Sequence, residues 1–230
     1  MREKLLYGTG IAASALLILN LYTIFVALPD EAAQGAIYRI IFFHVPAAAT
    51  FMFAAFASMV ASVLFLARKD FRYDAFAEGV TEVGLVFGAV NLLTGMIWAR
   101  VIWGIWWAWD ARLTFMLISW LMYAGYLMLR QAIDEPTQRA RFASVLSILT
   151  FPGVIITYKA IDWWRTQHPG PVLSVRGAKG AMDPAMEQAL YLNILAVLLM
   201  AIVMLAVRMR QEGMQRELDA LRREAHANAL

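Results

Sequence analysis

The chain of 230 residues contains no cysteine. It therefore forms no disulfide, holds no metal through a thiolate and runs no redox thiol chemistry, so any thiol chemistry belongs to a partner. Charge is scarce as well: 16% of the residues are Asp, Glu, Lys or Arg while 61% are hydrophobic, a balance outside the range of an ordinary soluble domain. There are three histidines and seven prolines. No nucleotide-binding glycine loop, HExxH pattern, internal repeat or low-complexity segment occurs. The net charge of +3 is scattered over short loops rather than gathered in a basic stripe, which argues against nucleic acid as a partner.

What the chain has in quantity is uncharged sequence. Runs free of charge cover Leu5 to Leu28, Ile40 to Ala67, Val83 to Ala99, Leu113 to Leu129, Phe142 to Tyr158 and Gln188 to Val207. About 20 helical residues cross roughly 30 Å of hydrocarbon, so the fold class expected is an all-α integral membrane protein with six transmembrane helices. Three of the runs sit near the lower limit of about 17 residues, and their helices are expected to continue past the flanking charges, with arginines reaching to the headgroups. The first run is longer than a signal-peptide core and lacks a clear small-x-small cleavage site, so it is read as retained.

With the N-terminus placed in the cytoplasm, thirteen Lys and Arg fall on the inner side. Seven fall outside: Arg39, Arg100, Arg112, Lys159, Arg165, Arg176 and Lys179. The positive-inside rule thus favours both termini in the cytoplasm. Residues 1–207 are expected to form one membrane unit and 208–230 a charged cytoplasmic helix, with Glu212/Arg216 and Asp219/Arg223 at i,i+4 spacing. Gly84 and Gly88 give the small-xxx-small spacing of close helix packing, and Pro152-Gly153 predicts an interruption of the fifth helix.

The densest feature is Trp103-Gly-Ile-Trp-Trp-Ala-Trp-Asp-Ala-Arg-Leu-Thr114. Trp103, Trp106, Trp107 and Asp110 recur at helical spacing, so a helix here would present one aromatic face ending in a carboxylate. In the orientation above, seven of the eight tryptophans lie at or near the outer surface, Trp120 being the exception. Membrane anchoring is the ordinary use of interfacial tryptophan, yet anchors serve both interfaces, and this asymmetry favours a binding platform. The same side carries His44, two residues before Pro46, whose missing N–H frees the Phe42 carbonyl. It also carries the outer loop 159–187, with Trp163, Trp164, Arg165 and His168.

Two histidines 124 positions apart, an indole surface of Trp103, Trp106, Trp107, Trp109, Trp163 and Trp164, and the cations Arg100, Arg112 and Arg165 suit a flat aromatic ligand with a central metal and anionic edges. Heme answers that description: neutral imidazoles hold its iron, indoles cover the porphyrin and guanidinium groups pair with the propionates. Asp110 has two readings, a group orienting donors beside the ligand or a helix cap or partner of Arg112, and the sequence leaves both open.

The stretch 103–114 matches the pattern WGxWWxWDxRLT of the tryptophan-rich WWD family of heme-handling proteins at every fixed position, within the segment 99–114. Residues 38–48 around His44 and the Trp-Trp-x-Thr-x-His of 163–168 resemble the flanking motifs of its CcmC group, which acts in cytochrome c maturation; the resemblance covers essentially residues 5–207. It implies a heme b site facing the periplasm at the bacterial inner membrane, with His44 and His168 as axial ligands. It further implies delivery to the chaperone CcmE, and work beside CcmD and the ATP-binding cassette subunits CcmA and CcmB. By that resemblance the chain works by delivering heme, the covalent attachment taking place on the chaperone. The alternative is a permease subunit whose tryptophans only anchor it; a membrane electron carrier would need more helix histidines than His44 alone.

Overall fold

The computed structural model describes residues 3–173 and 182–228, so Arg2, Arg176 and Lys179 of the charge count, with the 174–181 part of the outer loop, lie outside the described residues. Six helices long and apolar enough to cross a membrane make up the fold, and no strand occurs among the described residues. They are α1 (Glu3–Tyr22, prolonged by a π-helical turn Thr23–Ala27), α2 (Ile41–Arg68, entered through the 3-10 turn Ala36–Ile40), α3 (Phe71–Ile102), α4 (Ala111–Ala132), α5 (Pro136–Trp163) and α6 (Pro184–Asn228). The short hydrophobic runs do lie in longer helices that continue past their charges.

Helix ends follow local chemistry. Asp70 accepts from Arg72 N (2.9 Å) to start α3, directly after Lys69 ends α2 in the left-handed conformation (φ 58°). Glu135, followed by Pro136 at the first helical position, accepts from Thr137 N (2.8 Å) and Gln138 N (2.5 Å) to start α5. These amide donors hold its carboxyl below the usual glutamate range.

Helix α2 forms the centre, packed against α3, α5 and α6, while α1 leans on α6 and α4 on α5. The glycines of α3 permit this approach: a Cβ on Gly84 would stand 2.7 Å from Ala54 Cβ, and one on Gly88 2.6 Å from Trp120 and 2.9 Å from Phe51. Ser58 sits between Thr81 (2.8 Å) and Ser147 (3.0 Å), joining α2, α3 and α5 through buried hydroxyls. Trp120, apart from the other tryptophans, donates to the Leu85 carbonyl at 2.9 Å.

One sequence expectation gives way. Helix α5 runs unbroken through Pro152-Gly153, and Gly153 is needed for contact instead, since a Cβ there would lie 2.7 Å from Ser119 Oγ on α4. Helix α6 continues past residue 208 into the charged tail without a boundary, because no proline or capping residue stops it there. The ion pairs seen along the tail are Arg208–Glu212 at 3.3 Å and Arg222–Asp219 at 3.4 Å. The side chains of Arg216 and Arg223, in the two pairs expected from spacing, lie outside the described residues.

Candidate functional site

At the end of the bundle where α2 begins, Pro46 leaves the Phe42 carbonyl without its helical donor. Asn193 of α6 donates to that oxygen through Nδ2, and its own Oδ1 accepts from Asn20 Nδ2 on α1 at 3.3 Å. All three groups are buried. The opening of α2, and with it His44, is thereby tied to two other helices.

The His44 ring rests on one face of α3. Asn91, Thr94 and Gly95, at i, i+3 and i+4, each meet it differently. The Thr94 hydroxyl donates to the Val90 carbonyl (2.6 Å), so its oxygen accepts from His44 Nδ1, 3.1 Å away. That assigns the proton to Nδ1 and leaves the Nε2 lone pair for a ligand. The Asn91 amide nitrogen donates to the His44 carbonyl at 3.2 Å and lies 3.3 and 3.2 Å from the two ring nitrogens, a near-equal spacing that sets it over the ring rather than in line with one lone pair. Gly95 clears the ring edge: a Cβ there would come within 3.0 Å of His44 Cε1.

His168, in the loop after α5, faces His44. The ring centres are 6.2 Å apart and the planes 28° from parallel. Its Nδ1 lies 2.8 Å from the Pro169 carbonyl, an acceptor only, so Nδ1 carries the proton and Nε2 is again free. Burial and then the nearby Arg112 bring the His168 pKa down to about 4, against a raising contribution from Pro169. The ring is neutral at neutral pH, the form that binds metal.

Between these rings and the tryptophans opens a cavity of about 450 Å³, within the range of sites for sizeable organic ligands. Trp103, Trp106, Trp107 and Arg112 line it with both histidines, as do residues 169–173 and apolar side chains of α2 to α5 such as Met52, Met96 and Met116. Trp98 packs edge-on to Trp103 (centres 5.0 Å apart) and donates to Gln34 at 2.8 Å. The Trp107 Nε1 is buried and has no hydrogen-bond partner among the described residues.

Trp109, Trp163, Trp164, Arg100 and Arg165 do not line the cavity. Trp109 meets Trp107 edge-on, Trp164 stacks on Phe115 (6.3 Å, 14°) and touches Trp163, and Arg100 donates to the Gly104 carbonyl one turn along its own chain. The expected helix through 103–110 is absent. Helix α3 ends at Ile102, Gly104 takes φ 75°, and α4 begins only at Ala111, so the indoles are presented by an irregular strap rather than by one helical face. Asp110 caps α4, Oδ1 accepting from Leu113 N (2.9 Å), while Oδ2 accepts from Gln167 N (3.1 Å) in the His168 loop.

Sequence reasoning missed Asn91, Thr94 and Gly95 as the support of His44, and Asn193 as the partner of the Phe42 carbonyl. The first three share one helical face, a signal present in the sequence; Asn193 has meaning only once α6 is docked.

The residues present fit heme. The 6.2 Å between the ring centres is of the size that two imidazoles would have if both bound one metal through bonds of about 2.0 Å, so His44 and His168 would be the residues to hold the iron. Among the described residues no group of three or more His, Asp or Glu converges on a metal position. A bare ion would find two ligands here, whereas an iron already held by four porphyrin nitrogens would need no more than two. An apolar cavity and an indole N–H without a partner among the described residues suit the macrocycle and an acceptor on its edge.

The model of the family described as CcmC, heme exporter protein C, matches residues 1–224. A heme exporter protein C of Bradyrhizobium diazoefficiens is 35% identical over 222 residues, covering 96% of this chain and 83% of the relative. That of Paracoccus denitrificans is 34% identical, with coverage of 84% and 80%. That of Escherichia coli K12 is 35% identical, with coverage of 79% and 73%. The chain belongs to the CcmC family of heme exporter proteins.

Proposed function

We propose that the protein binds heme b between His44 and His168 and hands it on for c-type cytochrome maturation. The observation that carries this reading is the facing pair of imidazoles, 6.2 Å between centres, each with Nδ1 bonded away and Nε2 open. Family membership supports a role in heme export.

In this reading the bound heme supplies the iron and the reactive vinyl groups. His44 supplies the fixed ligand on a helix and His168 the ligand on a loop, while Trp103, Trp106 and Trp107 cover the porphyrin. Arg112 and the Trp107 N–H bind the propionates. Trp109, Trp163 and Trp164, outside the cavity, extend the aromatic surface towards a recipient. The recipient is the chaperone CcmE, with CcmD, CcmA and CcmB as companions, and covalent attachment takes place on the chaperone. The chain lies in the bacterial inner membrane with this end towards the periplasm, a placement supported by the excess of Lys and Arg assigned to the other side. Residues 1–207 form the heme-handling unit, followed by the charged cytoplasmic stretch 208–230. Tryptophans that line a cavity, rather than only ringing an interface, favour this reading over a permease with anchors.

Titration of detergent-purified protein with hemin tests it. The wild type is expected to give a Soret band at stoichiometric hemin, with binding weakened at least tenfold in both His44→Ala and His168→Ala. Titrations that superimpose for all three proteins would sink the ligand assignment.

A further inference from the structure

The two imidazoles are held by very different means. His44 sits inside a helix, braced by three residues of α3 and anchored through Phe42 to α6. His168 lies in a loop where the Thr166 bond to the His168 carbonyl (3.4 Å) and the His168 bond to the Pro169 carbonyl (2.8 Å) stay within the loop itself. A ligand on a loop serves only if something fixes it to within about half an ångström.

We propose that Asp110 is the positioning residue for His168, a role that rests on the two-histidine reading above. Its carboxylate is shared between two amides 54 residues apart: Oδ1 takes the Leu113 N–H of the first turn of α4 (2.9 Å), and Oδ2 takes the N–H of Gln167 (3.1 Å), the residue directly before His168. The carboxylate sits at the positive end of α4, where the helix dipole stabilises its charge, and charged acceptors hold amide donors more strongly than neutral ones. The start of α4 is thus the fixed point from which the His168 loop is hung, and the last residue of the tryptophan strap is that point. The strap and the second histidine thus meet at one side chain: the indoles end at Asp110, and the imidazole lies one residue past its bond. Partners that orient a metal-binding histidine commonly matter 10–100-fold for affinity.

Asp110→Asn separates the two halves of the role. Asparagine caps a helix as well as aspartate does, so its carbonyl keeps the Leu113 bond, while its NH2 meets the Gln167 N–H donor to donor. Hemin affinity and absorption spectrum would be measured for the full chain in detergent, for Asp110→Asn in the wild-type and the His168→Ala backgrounds, alongside thermal melting without heme. The expected result is about 10–100-fold weaker binding with a spectrum resembling that of His168→Ala, restored by added imidazole. No further change is expected in the His168→Ala background, and melting should stay near that of the wild type. Unchanged affinity in Asp110→Asn, while His168→Ala alone loses binding, would overturn the role of Asp110 and leave the ligand pair standing. An equal loss in both backgrounds would likewise overturn it, since the residue would then act through general structure. If His168→Ala itself bound hemin as the wild type does, both the ligand pair and this role would fall.

Discussion

Replacing Arg130 by alanine is expected to destabilise the protein by about 3–5 kcal/mol, the usual cost of leaving partners of a buried ion pair uncompensated. Arg130, near the end of α4 away from the histidines, has 6% of its side chain exposed. It makes a two-point pair with Asp74 (2.6 and 3.0 Å) and a further bond to Glu78 (2.7 Å), both on the first turns of α3. The two carboxylates are 7% and 23% exposed, so the alanine variant leaves two acids facing each other in a poorly hydrated place. Thermal or denaturant unfolding in detergent measures the effect. A companion variant that replaces the whole group with apolar residues, Arg130→Met with Asp74→Leu and Glu78→Leu, should recover part of the loss, since removing every partner avoids the stranded charge. A single variant within about 0.5 kcal/mol of wild type, the range of ordinary surface changes, would show that the cluster carries no structural weight.

The second large effect concerns Gly95 and should be functional. The α3 backbone passes so close to His44 that a Cβ at residue 95 would stand 3.0 Å from Cε1 and 3.5 Å from Nδ1. Alanine forces the ring to give by a few tenths of an ångström; leucine drives it off its seat between Asn91 and Thr94. Since glycine inside a helix is worse than leucine by roughly 0.5–1 kcal/mol in backbone terms, the helix itself does not suffer, and the damage falls on the imidazole. Gly95→Leu is expected to lower hemin affinity about 10–100-fold, as loss of a ligand's support commonly does, with melting close to wild type. Gly95→Ala should fall between the two. Wild-type hemin binding by Gly95→Leu would contradict the placement of His44.

Much of this architecture can be read from the sequence, and the exceptions have physical causes. The six spans are visible because hydrocarbon tolerates no charge, so uncharged runs mark them. Their ends are less visible, since arginines such as Arg68 and Arg100 remain helical beyond the runs. Trp103 to Asp110 looks helical by spacing, but one left-handed glycine at position 104 breaks the period, and a sequence pattern does not report the sign of φ. His44 and His168 emerge as a pair on one side from topology alone; their distance depends on how α2, α3 and the loop after α5 pack. The capping half of Asp110 is a local signal. Its bond to Gln167 is a tertiary one, and the same holds for Thr94 and Asn91, which read as generic polar packing until the imidazole lies against them.

An iron held between His44 and His168, as proposed, would have a coordination state that spectroscopy reads. Resonance Raman or electron paramagnetic resonance spectra of the heme-loaded protein should show a six-coordinate, low-spin iron with two imidazole ligands. His44→Ala and His168→Ala should each turn it five-coordinate and high-spin, a change reversed by added imidazole. A six-coordinate low-spin spectrum that persists in both single variants would place the iron elsewhere and rule out this pair of ligands.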